Sequence, residues 1–74
     1  MDDLHTTQLG AERLRRNLSL EIHDVVAWCK NAIRTHSVDE SRVNRRGKNW
    51  YVDCESFVIT INAHSHTIIT AHKK

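Results

Sequence analysis

The chain has 74 residues, of which 11 are lysine or arginine, 9 are aspartate or glutamate and 6 are histidine, so its formal net charge is +2 with histidine neutral. A chain this short buries roughly 60% of its unfolded surface, which predicts one marginally stable domain over residues 1–74 and favours a homodimer that would bury more. This mild positive charge excludes a protein that coats DNA. Two cysteines are too few for a disulfide framework. The sequence has neither a signal peptide nor a long apolar run, which predicts a cytoplasmic protein outside the membrane.

The first predicted element is a helix over residues 7–17. Thr6 or Thr7 can cap its N-terminus, because a threonine oxygen accepts a hydrogen bond from the amides of the first turn. Leu14 contributes to an apolar edge. Gly10 weakens the helix by about 1 kcal/mol relative to alanine, or else allows close packing against another element.

The second predicted element is a helix over residues 20–35, with Ser19 as its N-cap. Its apolar side chains recur at intervals of three, one, three and four residues, which is one stripe at the helical period. The stripe consists of Ile22, Val25, Val26, Cys29 and Ile33. It is the strongest helical pattern in the sequence.

Three strands follow a polar loop. The loop covers residues 36–48 and changes from acidic to basic, and Val43 can begin a short extended piece within it. From residue 49 the apolar period becomes two, with many β-branched side chains, which predicts strands over residues 49–54, 56–62 and 66–72.

The strand pattern also predicts a register. A two-residue turn at Cys54–Glu55 sets Trp50 beside Ile59, and a loop over residues 63–65 sets Ile59 beside Ile69. The resulting apolar face holds Trp50, Val52, Phe57, Ile59, Ile61, Ile69 and Ala71, and the opposite face holds Asn49, Tyr51, Val58, Thr60, Asn62, His66, Ile68, Thr70 and His72. The predicted fold class is α+β, with two N-terminal helices packed on one face of a C-terminal three-stranded antiparallel sheet.

The polar face carries residue types suited to acid–base chemistry on RNA. Cleavage of RNA by its own 2′-hydroxyl needs a base, an acid and a cation for the phosphate, but no metal or cofactor. Imidazole suits the acid and the base near neutral pH. The candidate catalytic residues are His66, His72, Tyr51 and Thr70. The candidate nucleic-acid-binding residues are Arg42, Arg45, Arg46 and Lys48 in the loop, with Asn62 and Thr60 on the strands.

Each candidate also has an ordinary explanation, because polar side chains commonly cover the solvated face of an antiparallel sheet. No role is assigned to the remaining histidines, which are His5, His23, His36 and His64. The histidines near the C-terminus lack the spacing of a zinc site, so no metal is predicted. Cys29 is expected in the core and Cys54 exposed in a turn.

A non-enzymatic interaction module is the alternative. In this hypothesis an edge strand, residues 50–54 or 66–72, pairs with a protein partner or a second copy of the chain. A small inhibitor or regulator belongs to this class. The polar face favours an RNA-directed protein, whereas the modest charge favours the interaction module.

Nearly the whole chain resembles a family of short bacterial proteins of unknown function. The segments that carry the resemblance are residues 5–10, 13–14, 16–18, 24–29, 47–52, 59–63 and 67–73, including the motifs GKNWYV and TIITAHK. This resemblance implies no activity. The chain also resembles, more weakly, ribonuclease toxins of the barnase, colicin and RelE types, in which helices precede a short antiparallel sheet whose polar face cleaves RNA. That resemblance implies a metal-independent endoribonuclease, and the positions that match in kind are Lys48, Tyr51, His66, Thr70 and His72.

Overall fold

The computed structural model describes residues 3–74, which form two α-helices followed by a four-stranded antiparallel sheet. The helices are α1 (Gln8–Leu18) and α2 (Val25–His36), and a short 3-10 turn covers Glu40–Arg42. The strands are β1 (Val43–Arg46), β2 (Asn49–Asp53), β3 (Phe57–Asn62) and β4 (Ile68–Lys73), and they are hydrogen-bonded in sequence order. The predicted α+β class is therefore confirmed, but the prediction of three strands is wrong.

The two ends of α1 are defined by side-chain and backbone caps. Thr7 is the N-cap, and its side chain accepts a hydrogen bond from the Gly10 amide. Ser19 closes the C-terminus in the left-handed conformation, at φ 54°, and its amide donates to the carbonyls of Arg15 and Arg16. Ser19 therefore ends the first helix instead of starting the second.

The second helix begins at Val25 rather than at residue 20. Asp24 is its N-cap, because the Asp24 side chain accepts a hydrogen bond from the Ala27 amide. The segment before it is not helical, and Arg15 holds that segment in place by donating to the Ile22 and His23 carbonyls. Ile22 matched the helical period, yet it is 37% exposed.

The additional strand, β1, lies inside the predicted loop over residues 36–48. It pairs with β2 through a two-residue turn at Gly47 and Lys48, where Gly47 has a φ of 59°. Glycine at the first turn position suits a type II′ hairpin. The sequence VNRR has no apolar alternation, since three of its four residues are exposed, and beyond Val43 it carries no strand pattern.

The observed register differs from the predicted one at both turns. Trp50 pairs with Ile61 instead of Ile59, a shift of two residues that leaves every side chain on its predicted face. Ile59 pairs with Ala71, and a bulge beside Ile61 changes the face of the next residues along β4. Ile68, predicted on the polar face, is consequently in the core with 1% exposure.

The core lies between the helices and one face of the sheet. Helix α1 packs mainly on β4, and α2 packs on β2. The buried apolar residues are Leu4, Leu14, Leu18, Val25, Cys29, Ile33, Val52, Cys54, Ile59, Ile61, Ile68 and Ala71. Cys54 is 2% exposed, so the prediction of an exposed thiol is wrong: its chain position is a turn, but its side chain points into the core cluster.

The edges of the sheet differ from those that the interaction-module hypothesis requires. Strand β2 is an inner strand, because β1 and β3 flank it. The outer edge of β4 is covered by the N-terminal segment: the His5 amide donates to the His66 carbonyl, and the Ile68 amide donates to the His5 carbonyl. Farther along, Asn17 donates from its side chain to the Ala71 carbonyl. The outer edge of β1 is the one left without a strand or segment across it within residues 3–74.

Candidate functional site

A groove of about 500 Å³ lies at the end of the sheet where the β1–β2 turn meets the β3–β4 loop. Its lining residues are Arg45, Lys48, Asn62, His64 and Ser65. Three of these five side chains are cationic or can become so. We refer to this feature as the hairpin-end groove.

One backbone hydrogen bond joins the two turns of the groove, and the Asn62 side chain fixes the conformation of the β3–β4 loop. The Ala63 amide donates to the Lys48 carbonyl over 2.8 Å, which ties one turn to the other. The Asn62 side-chain oxygen accepts from the amides of both His64 and Ser65, at 2.9 and 3.0 Å. This is the local geometry that asparagine favours in turns, and it fixes the position of the loop relative to β3.

The cations of the groove are not neutralised by neighbouring acids. Arg45 lies over the ring of Trp50, 5.6 Å from its centroid, and donates from Nε to the Gly47 carbonyl. Neither Arg45, Arg46 nor Lys48 forms an ion pair with any residue between 3 and 74. This end of the sheet therefore presents positive charge that a ligand can use.

The opposite end of the sheet is internally paired. Arg42 lies within 4 Å of carboxylate oxygens of Asp39, Asp53 and Glu55, at 3.7, 3.8 and 3.6 Å. Lys74 contacts Asp53 at 2.6 Å, and this hydrogen bond lowers the pKa of that carboxyl below its ordinary value. Arg42 was predicted to bind nucleic acid, but the structure places it in this acidic cluster, away from the other predicted phosphate ligands.

Beside the groove, a chain of side-chain hydrogen bonds links the β3–β4 loop to the N-terminal segment. Ser65 Oγ lies 2.7 Å from Thr67 Oγ1, which lies 3.0 Å from His5 Nε2. His5 Nδ1 is 3.0 Å from the Asp3 carbonyl oxygen. We refer to Ser65, Thr67 and His5 as the hydroxyl–imidazole chain.

The two histidines predicted as an acid–base pair are not neighbours. His66 lies before β4, at φ 58°, and its Nδ1 is 2.5 Å from an Asp3 carboxylate oxygen, a hydrogen bond that lowers the pKa of Asp3. His72 is exposed near the far end of β4, where it pairs with Val58. Because His66 precedes the strand and His72 lies four residues beyond Ile68, the first residue of β4, at least about 13 Å of strand separates the two histidines. Neither imidazole lines the hairpin-end groove.

Tyr51, Thr60 and Thr70 are cross-strand neighbours on the face of the sheet opposite the core. Tyr51 is half-buried and pairs with Thr60, and it lines a separate depression of about 260 Å³ together with Arg46. Thr60 is 6% exposed, which leaves little of it for a ligand. Thr70 accepts a hydrogen bond from Asn17 at 3.2 Å. Of the predicted binding residues, the structure brings Arg45, Lys48 and Asn62 to one groove.

Sequence reasoning missed four residues of this region, which are His5, His64, Ser65 and Thr67. His64 and Ser65 were treated as turn residues without a role, although the adjacent asparagine is a signal for a structured loop. His5 lies 62 residues from Thr67 in the chain, and no periodicity connects them. Their proximity arises from the parallel bridge between the N-terminal segment and the start of β4.

The buried thiols and the histidines do not form a metal site in the part of the chain that the structure describes. Burial raises the pKa of Cys29 to about 12 and that of Cys54 to about 11, so both thiols stay protonated near neutral pH. A protonated, buried thiol is a poor nucleophile and a poor metal ligand. Neither described helix is long and apolar enough to cross a membrane.

A protein-family model matches nearly the whole chain. The model of a family described as "Protein of unknown function (DUF3781)" matches residues 1–72. No curated protein and no solved structure matches the chain. The match covers both helices and nearly the entire sheet.

Proposed function

Because this chain belongs to the DUF3781 family, whose function is unknown, we propose a function from its own side chains: it binds single-stranded RNA by holding phosphates in the hairpin-end groove. The observation that supports this proposal is the presence of Arg45, Lys48 and His64 around one groove without a carboxylate paired to either cation among residues 3–74. Cations held by a rigid turn and left unpaired are suited to phosphate groups.

A single strand fits the groove better than a duplex does. The groove is about 500 Å³, enough for one or two phosphates with their sugars, and among the described residues it is lined by strand and turn residues only, with no helix residue to enter a duplex groove. Trp50 lies under Arg45 at the sheet end, so an aromatic ring is close to the cations. Trp50 itself packs against the core and does not line the groove, so its ring holds Arg45 in place while the cations contact the phosphates.

The charge distribution also orients the ligand. At one end of the sheet the groove residues Arg45 and Lys48 form no ion pair within residues 3–74, whereas at the other end Arg42 lies beside three carboxylates. A polyanion is therefore attracted to the first end and has no favourable electrostatic interaction with the second. Positive charge concentrated in this way binds phosphates more effectively than the net charge of +2 suggests.

A variant pair tests the proposal. Replacing Arg45 and Lys48 together by alanine should weaken binding of a fluorescein-labelled oligouridine by roughly tenfold at low salt, because two phosphate contacts are lost. The slope of log affinity against log salt should become shallower by about 0.7 for each contact that is lost, the value for single strands. Fluorescence anisotropy at several salt concentrations measures both quantities.

The matched control removes the same charge elsewhere. Arg13 and Arg16 are exposed on α1, and replacing both by alanine also lowers the net charge by two. We expect this control to keep most of the wild-type affinity. Equal losses in the two double variants, or no binding by the wild-type protein at low salt, would contradict the proposal.

An edge-pairing interaction module is the second candidate, and the open outer edge of β1 is the observation that favours it. This edge has only four residues and carries Arg45 and Arg46, features that discourage pairing with another strand unless the partner is acidic. The geometry therefore supports it less well than RNA binding. A concentration-dependent mass in sedimentation equilibrium that Arg45→Pro abolishes and Arg45→Ala does not would favour edge pairing, because the Arg45 amide faces away from β2 in this register.

A further inference from the structure

The hydroxyl–imidazole chain ends at the hairpin-end groove. What we infer below about the ligand of Ser65 rests on the RNA binding proposed above. Ser65 lines the groove, and its hydroxyl is connected through Thr67 to His5 by contacts of 2.7 and 3.0 Å. No other side-chain hydroxyl lines the groove among the described residues. The polarity of this chain decides what Ser65 offers to a ligand.

The Asp3 carbonyl sets that polarity. A carbonyl oxygen can only accept, so His5 Nδ1 carries the proton in the 3.0 Å contact between them. In the neutral imidazole the other nitrogen, Nε2, is then an acceptor, and the Thr67 hydroxyl donates to it. Having used its proton, Thr67 Oγ1 accepts from the Ser65 hydroxyl.

Ser65 Oγ is consequently left as an acceptor. Its own proton is committed to Thr67, and one of its two lone pairs faces the Thr67 amide at 3.3 Å. The second lone pair is available to a donor on the ligand. Phosphate oxygens cannot bond to this lone pair, since they too are acceptors at neutral pH. Ser65 is therefore suited to a hydrogen-bond donor of the ligand, whereas the groove cations are suited to its phosphates.

We propose that Ser65 Oγ accepts a hydrogen bond from a ribose 2′-hydroxyl of RNA held in the hairpin-end groove, and that Thr67 and His5 are positioning residues for this contact. The 2′-hydroxyl is the donor that lies beside each phosphate in RNA and is missing from DNA. Cations that hold a phosphate therefore bring this donor to the same groove. The site selects RNA over DNA by the direction of its hydrogen bonds.

The experiment compares two ligands that differ only in the 2′ position, a labelled oligouridine and the corresponding oligodeoxyuridine. For the wild-type protein we expect RNA to bind about two- to tenfold more tightly than DNA at neutral pH, the effect of one hydrogen bond to a ribose. Ser65→Ala and Thr67→Val should each bring the ratio of the two dissociation constants close to one. Thr67→Ser keeps the hydroxyl and should keep the preference.

Each outcome of the binding comparison supports or overturns the inference. Loss of the preference in Ser65→Ala and Thr67→Val, with retention in Thr67→Ser, supports it. Equal binding of RNA and DNA by the wild-type protein overturns it and leaves phosphate binding in the groove intact. A preference that persists in Thr67→Val overturns it as well. No binding of either ligand overturns both this inference and the proposed function.

The polarity itself is measured without any ligand. Nitrogen-15 chemical shifts of His5 at neutral pH distinguish the tautomer with the proton on Nδ1 from the one with the proton on Nε2. We expect the Nδ1 tautomer in the wild-type protein and in Thr67→Ser. A proton on Nε2 would reverse the chain, make Ser65 a donor, and overturn the inference even if the variants do not fold.

Discussion

Gly10 shows why a single atom matters in so small a protein. It lies in the first turn of α1, where an added Cβ would come within 2.3 Å of Thr6 Oγ1 and 3.2 Å of Thr7 Oγ1. The Thr6 side chain cannot move freely, because it donates a 2.8 Å hydrogen bond to the Ile68 carbonyl at the edge of the sheet. Of the two interpretations of this glycine, close packing is the one that the structure supports.

We expect Gly10→Ala to lower the free energy of unfolding by about 1–3 kcal/mol, because the new methyl group displaces the Thr6 side chain. In a helix where no neighbour crowds the glycine, the same substitution would raise the free energy of unfolding by about 1 kcal/mol. In a Thr6→Ala background most of the penalty should disappear. Urea unfolding of the four proteins in this double-mutant cycle measures the coupling, and additive effects would contradict the explanation.

The caps explain why the helices begin and end where they do. Ser19 follows α1 with a positive φ, and Asp24 precedes α2 with its side chain on the Ala27 amide. From the sequence Ser19 alone is predicted as the N-cap of the second helix, although aspartate is equally favoured at that position. The apolar stripe does not reveal that α2 begins only at Val25, because Ile22 also fits the helical period.

Two substitutions separate the alternatives at the level of the element. Asp24→Ala should cost about 1 kcal/mol of stability, as expected for the loss of an N-cap. Ser19→Gly should stabilise by up to about 1 kcal/mol, because glycine adopts the left-handed conformation without steric cost. Thermal or urea unfolding measures both, and destabilisation by Ser19→Gly would indicate that this serine acts as an N-cap after all.

The faces of the strands were predictable because side chains alternate with a period of two. The error at the β2–β3 turn was two residues, so Trp50 and Val52 stayed on the correct face. The bulge beside Ile61 could not be read from the pattern, because Ile68 and Ile69 are equally apolar. Strand β1 could not be predicted because its exposed positions carry polar residues on both faces, so no apolar alternation marks it as a strand.

The candidate site was predictable only in part. Arg45 and Lys48 were recognised by charge, and Asn62 by its place on a polar face, and these three residues do meet in one groove. His5 and Thr67 meet through a parallel bridge between distant segments, which leaves no local signal in the sequence.

Across the whole molecule, the exposed carboxylates contribute to stability in a pH-dependent way. The pKa of Asp53 is lowered by hydrogen bonding to Lys74, that of Asp39 by Ser41, and that of Asp3 by His66. A carboxyl whose pKa is lower in the folded protein stabilises it above the ordinary carboxyl value of 3.8, and the contribution is lost as pH falls through the lowered values.

We therefore expect the urea midpoint to decrease as the pH falls from about 5 to about 2, and the decrease to be smaller in Asp53→Asn. Glu21→Gln is the matched control, because Glu21 is exposed and lies outside the described ion pairs. The control should keep the wild-type pH dependence. An Asp53→Asn profile that coincides with it would show that this carboxylate does not contribute.

The bridge between His5 and Thr67 has a consequence for how the protein is made. These residues are 62 positions apart, and Leu4, just before the bridge, is buried in the core. During synthesis the N-terminal segment leaves the ribosome long before β4 exists to receive it, so the native sheet edge cannot close on a partial chain. Contacts between these distant segments are slow to form and make the domain fold as one unit once β4 is available, rather than helix by helix.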